Sequence, residues 1–401
     1  MSIDTYIRDT VMRGLERNNG ILRLQPTWVA RDFLKSGRNF GLKENEYNLG
    51  ERGEIVERWL GSTTRAMTDK GPQDEGLSYV EIEEGYSITL SSAVDNALDL
   101  IAGPAYALTH AGLGRLAKIF NFGDRLFYHY HQMQKDADLI DASAKEEAYY
   151  FPPRVALGPH PETFFGVHPY IVDQEDYDIL LPHLVEWKDD LILRHARAYM
   201  QMPDDGFHVP AGILHAPGTA VTIELQEPSD VFSNLQAVVG GKLVSKNLLY
   251  HSVRAEDRDK YGERVILGQL DWPLNGDPYF YENRHTPPVL IAGSQSAAGE
   301  EYWIYYNTRK FSGKKLIVHP GQTYITRDRG CYNILVWEGK GRFDGHPVEA
   351  GNFHCDEYLV THEKAAQPLQ VENTGVTDLM IFKFFGPDIN LDVPMLPVYR
   401  R

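Results

Sequence analysis

Arg125-Leu-Phe-Tyr-His-Tyr-His131 is the stretch on which the reading of the fold turns. Its aromatic and apolar residues predict a short strand. His129 and His131 are separated by one residue, so on a strand both imidazoles point to the same face. Downstream stand Lys145-Glu146-Glu147 and the turn-rich Val209-Pro-Ala-Gly-Ile-Leu-His215-Ala-Pro-Gly218, which add a carboxylate and a third histidine. Side chains so distant in sequence meet on neighbouring strands when a sheet closes into a barrel. Three histidines and one carboxylate are a ligand set for a mononuclear divalent ion: Zn2+, Mn2+, Fe2+ or Co2+. Alternation lets only one of Glu146 and Glu147 face inward.

Outward from this stretch, the chain from Glu147 onward reads as β: 148–151, 163–166, 206–210 and 221–226. A helical insert is predicted over 176–198, where Ile179, Leu180, Leu184 and Trp187 have apolar spacing. Residues 251–300, rich in charge, Pro and Gly, predict a connection between domains. Short strands separated by Gly turns then recur to residue 385, the pattern of a second antiparallel barrel. Toward the N-terminus, residues 2–19 predict an amphipathic helix with Ile3, Tyr6, Ile7, Val11 and Leu15 on one side. Residues 20–50 read as irregular and 77–82 and 86–90 as strands. Residues 91–120 carry helical periodicity, broken at Gly103-Pro104 and Gly112 to Gly114.

With 401 residues the chain suits two domains; 42% hydrophobic and 24% charged residues are an ordinary globular composition. A formal charge of −16 argues against a nucleic-acid or anionic-membrane partner. The two cysteines, Cys331 and Cys355, make neither a disulfide framework nor a zinc ribbon. The N-terminus lacks a signal-peptide core and no apolar run is long enough to span a membrane, so a cytoplasmic location is expected.

Three segments carry a resemblance. GFHVPAGILHAPGTAVTIELQEPSD (206–230) resembles the signature of the type I phosphomannose isomerases, which are two-barrel (bicupin) metal enzymes. LGRLAKIFNFGDRLFYHYHQ (113–132) resembles that family's strand bearing Gln-x-His, with a lysine eleven residues before the Gln. KEEAYYF (145–151) resembles its Lys-x-Glu-x-Trp run. The resemblance implies metal ligands at His129, His131, Glu147 and His215, with His129 where the family has Gln. It implies active-site roles for Lys118, Lys145 and Glu224. It also implies one divalent ion, Zn2+ foremost, and a sugar or sugar phosphate as substrate; a homodimer is compatible with it. The expected architecture is mainly β. Two cupin barrels carry helical segments at the N-terminus and inserted in the first domain. A metal-binding domain would span 1–255 and a cupin-like domain without metal 256–401. The latter region contains His319, His346, His354 and His362 but no His-x-His.

The family places an arginine ten residues after its active-site glutamate; here that position is Asn234. Its loss opens the substrate to unphosphorylated sugars. Arg65 and Arg197 are candidates to replace the missing cation, and His160, His168 and His183 to line the pocket, whereas His208 reads as structural. The reaction implied is aldose–ketose isomerisation, a proton passing between C1 and C2 through a cis-enediol. Two alternatives stand beside it: a cupin metal oxygenase or decarboxylase, and a sugar-binding cupin without catalysis. In oxygenases and decarboxylases the carboxylate follows His-x-His within a few residues; here Glu147 follows His131 after sixteen.

Overall fold

The computed structural model describes residues 3–68 and 70–400. The chain forms two compact units, each drawn from three segments. One comprises 1–29, 58–119 and 286–395, the other 30–57, 120–285 and 396–401. Sequence reading places a single division at 255/256. Residues 256–285 instead pack with the histidine-bearing segments, because Ile266, Leu267 and Leu270 join Leu180, Leu184 and Leu214 in one apolar core.

In the unit that holds residues 286–395, a seven-stranded antiparallel sheet runs in the order Ile21–Arg23, Glu357–Val360, Tyr332–Glu338, Leu379–Phe385, Ser312–Val318, Gly299–Tyr305, Val289–Leu290. A four-stranded sheet follows the order Thr323–Thr326, Leu369–Asn373, Lys340–Phe343, His346–Glu349. Val318, Ile334 and Ile381 from the first meet Phe343, Leu369 and Val371 from the second in a shared core. The helix Ile3–Arg17 buries Val11 against Ala93 and Val94 of the helix Leu90–Ala102 and against Leu22 and Val80. Arg8 bridges to Asp99 at 2.6 Å.

The same unit carries a buried charge cluster with one cation and two carboxylates. The Arg58 guanidinium donates to Asp356 at 2.6 and 2.8 Å and to Glu357 Oε2 at 3.0 Å. It lies over the rings of Trp28 and Phe353. Glu357 Oε1 accepts the Gly61 N–H at 2.7 Å. Burial dominates and raises the Glu357 carboxyl from 4.5 to about 7, against the pull of Arg58. A carboxyl raised on folding contributes stability that is full below about 4.5 and lost as pH rises through about 7. Glu357→Gln cannot titrate. Wild type is therefore expected to lose stability relative to this variant between about pH 5 and about pH 8, as measured by urea unfolding. A constant difference across that window would contradict the assignment.

In the other unit, a five-stranded antiparallel sheet has the order Ala196–Met200, Glu162–Val167, His215–Ala216, His129–Tyr130, Ser233–Asn234. A second sheet contains Asp205–Val209, Glu147–Phe151 and Thr222–Gln226. Phe165 of the first sheet packs with Tyr149, Phe151 and Phe207 of the second. The helical insert predicted over 176–198 is a series of short turns, Tyr177–Leu180, Leu181–Glu186 and Leu191–His195, before the chain re-enters the sheet at Ala196. Residues 251–285 carry the short helices Ala255–Tyr261, Arg264–Gly268, Trp272–Asn275 and Phe280–Arg284.

Two expectations need correction. Leu116–Phe120 is a strand, not the end of a helical run: all five residues are buried, so no alternation marks it. Residues 20–50 are not wholly irregular, since Ile21–Arg23 and Thr27–Arg31 are strands.

Candidate metal centre

His215 pairs across the ladder directly with His129. Ring centroids lie 4.9 Å apart for His129 and His131, 4.1 Å for His129 and His215, and 4.9 Å for His131 and His215. One ligand atom from each of the three histidines falls within 4.8 Å of the others, and all three side chains are buried. Their orientation is set by the main chain. Nδ1 of His129 lies 2.8 Å from the Phe127 carbonyl, that of His131 2.7 Å from Val231, and that of His215 2.9 Å from Ile213. A carbonyl only accepts, so each Nδ1 carries the proton and each Nε2 presents a lone pair. Burial, then the neighbouring imidazoles, holds His129 well below its ordinary range; burial, then the Lys145 charge, lowers His131 to about 3.

Glu147 begins the strand Glu147–Phe151 and turns into the same space. Its Oε2 lies 2.9 Å from His131 Nε2 and its Oε1 3.0 Å from His215 Nε2. Burial works against ionisation, but the Lys145 charge opposes it, and Glu147 is held well below the usual carboxylate range. Nε2 of His131 and Nε2 of His215 thus face an anionic carboxylate at contact distance. His131 Nε2 and His215 Nε2 are buried without a hydrogen-bond partner. Electron pairs turned on one another in a dry site are costly, and a bound cation removes the conflict. The donor set, neutral nitrogens and one carboxylate oxygen, fits a divalent ion.

Other groups stand against Glu147. Lys145 Nζ is 3.2 Å from Oε2 and 3.7 Å from Glu224 Oε1. Tyr149 donates its hydroxyl to Oε1. Burial, reinforced by Glu147 and Glu224, holds that hydroxyl protonated well above its usual range. Glu224 is opposite Tyr149 in the ladder. Glu146, on the other face of the strand, accepts from buried His208 at 3.0 Å, whose Nδ1 faces Arg284 at 3.1 Å.

The loop before His215 is braced from a segment that sequence reading assigned to the inter-domain connection. Gly212 has φ +84°, a conformation glycine adopts without steric cost, and its N–H donates to the His131 carbonyl at 2.9 Å. Asn275, fully buried, donates to the Gly212 carbonyl at 2.8 Å and accepts the Leu214 N–H at 2.8 Å. Asn275 and Tyr149 are site residues that sequence reasoning missed. Asn275 carries no signal in sequence, because its work is to satisfy another loop's backbone. Tyr149 does carry one, since its two-residue spacing from Glu147 puts it on the same face.

The remaining candidates lie elsewhere or are committed. Lys118 belongs to the other unit, buried, with Nζ 6.0 Å from the centre of the Trp59 ring. Arg65 is exposed and also in that unit. Both Arg197 Nη atoms donate to backbone carbonyls, of Asp277 and Asn275. His160 faces Asp124 and Glu162, and His183 lies beside His195. Asn234 is fully buried; its amide donates to the Gln236 carbonyl at 2.9 Å and accepts the Gln236 N–H at 2.8 Å.

No protein-family model and no curated protein matches this chain. Solved structures do match its fold. A variant of phosphomannose isomerase from Salmonella typhimurium aligns with a TM-score of 0.61 and 11% identity, over 92% of this chain and 100% of that one. A zinc-bound mannose 6-phosphate isomerase gives 0.61 and 10% over 92% and 100%. A protein assigned as a mannosephosphate isomerase from Archaeoglobus fulgidus gives 0.59 and 13% over 92% and 97%. At such identities the likeness is one of fold: the chain is mainly β, with the cupin architecture of these proteins and helices at its N-terminus.

Proposed function

We propose that this protein is a metal-dependent aldose–ketose isomerase, moving a proton between C1 and C2 of a hexose or hexose phosphate through a cis-enediol. The observation that carries this reading is the convergence of three Nε2 lone pairs and the Glu147 carboxylate on one buried point, with Lys145 and Glu224 beside it. The fold shared with phosphomannose isomerases, one of them zinc-bound, supports it. His129, His131, His215 and Glu147 would hold a divalent ion, Zn2+ by our expectation, which would supply Lewis-acid polarisation of a carbonyl oxygen.

The chain's own groups then have distinct tasks. Glu224 is assigned as the base that takes the proton from one carbon and returns it to the other. Lys145, whose ammonium faces both Glu147 and Glu224, offsets negative charge developing on the substrate oxygens. The Asn234 amide is spent on the Gln236 backbone, so position 234 offers no cation to a phosphate. We therefore favour an unphosphorylated hexose.

The test is proton NMR in D2O on metal-loaded protein. Mannose, fructose and their 6-phosphates would be supplied with and without chelator. Chelator-sensitive deuterium incorporation at C1 or C2 is expected, faster with the free sugar than with its phosphate. No exchange on any of the four sugars with metal bound would sink the isomerase reading. Oxygen consumption in the same mixtures would move a cupin oxygenase ahead.

A further inference from the structure

We propose that Tyr149 is a positioning residue of this centre, its hydroxyl holding Glu147 through Oε1 so that the carboxylate meets the metal in one fixed orientation. The inference rests on the metal-centre reading above. Lys145, Glu147 and Tyr149 occupy alternate positions around the start of one strand, so all three side chains share a face. The carboxylate is thereby gripped from both directions along the chain, with Lys145 on Oε2 at 3.2 Å and Tyr149 on Oε1. The two grips differ in kind. The ammonium also faces Glu224 at 3.7 Å, so its attraction is shared. The phenol is neutral, and leaves Glu147 its full negative charge for a cation.

Tyr149 is also immobile. It is fully buried, its ring packed edge-on against Phe120 at 5.8 Å and tilted against Phe165 at 6.1 Å. A donor fixed by its own packing transmits that fixity to its acceptor. Without the hydroxyl, Oε1 still faces His215 Nε2 at 3.0 Å, and Glu147 loses the donor that fixes its rotation. Groups that orient metal ligands in this way typically contribute 10- to 100-fold in metal affinity.

Tyr149→Phe keeps the ring and removes the oxygen. Zn2+ affinity would be measured by chelator competition, alongside the visible spectrum of the Co2+-loaded protein and the melting curve of the metal-free protein. The expected result is Zn2+ binding weakened about 10- to 100-fold and altered Co2+ bands, with a metal-free fold that melts as wild type does. Equal affinity and an identical Co2+ spectrum would overturn the proposal while leaving the metal centre standing. Failure of wild type to take up one ion per chain would instead overturn the centre itself. Should Tyr149→Phe not fold, the wild-type protein still decides. A hydrogen-bonded Tyr149 hydroxyl gives a downfield proton resonance that shifts on adding Zn2+, and an unmoved resonance refutes the positioning role.

Discussion

His215→Ala is expected to lower kcat/KM for the preferred sugar by about three orders of magnitude, roughly 4 kcal/mol of transition-state stabilisation, and to leave a protein that loses its metal on dialysis. The size follows from geometry. His215 is opposite His129 in the ladder, and its Nε2 is one of two lone pairs facing Glu147. Removing it takes one nitrogen from the ligand set and one of the two imidazoles from the carboxylate. His129 and His131 remain clamped by the carbonyls of Phe127 and Val231, so the loss is of a ligand and not of the site's shape. Metal analysis before and after dialysis, with a melting curve as control, separates this outcome from unfolding. A variant that retains one equivalent of metal and wild-type turnover would remove His215 from the centre.

The largest stability effect should come from Arg58→Met. Asp356 and Glu357 are both buried, and Arg58 is the cation that faces them. Removing one partner of a buried ion pair costs about 3–5 kcal/mol, because the remaining charge is neither solvated nor neutralised. Methionine retains much of the packing against Trp28 and Phe353, so the deficit reports charge more than volume. Adding Asp356→Asn and Glu357→Gln to the same protein should restore most of the loss, and denaturant unfolding of the four combinations measures it. A single variant within about 1 kcal/mol of wild type would show that the pair is dispensable.

What the sequence discloses depends on how local the governing rule is. The one-residue spacing of His129 and His131 is a local rule of strands, so their shared face is legible before any fold is known. The insert around Leu181–Glu186 is legible for the same reason, since apolar spacing survives in single turns. Leu116–Phe120 is not legible, because a strand covered on both faces has no alternation and reads as a continuation of the preceding helix. Ile21–Arg23 is hidden for another reason. Three residues make a strand only because Tyr358, Leu359 and Val360 pair with them. Asn275 and the carbonyls of Phe127, Val231 and Ile213 shape the centre through backbone hydrogen bonds, which leave no compositional trace.

That pairing of Ile21–Arg23 with Glu357–Val360 also sets a schedule for biosynthesis. The ribosome releases the chain in N- to C-terminal order, so this edge of the seven-stranded sheet emerges more than three hundred residues before its partner. At about 5–20 residues per second the interval is on the order of tens of seconds. During it Leu22, Leu24 and Val11, all buried in the finished molecule, have no completed sheet to cover them. The nascent protein thus carries an unpaired strand and an apolar helix face through that interval, an exposure that invites chaperone capture.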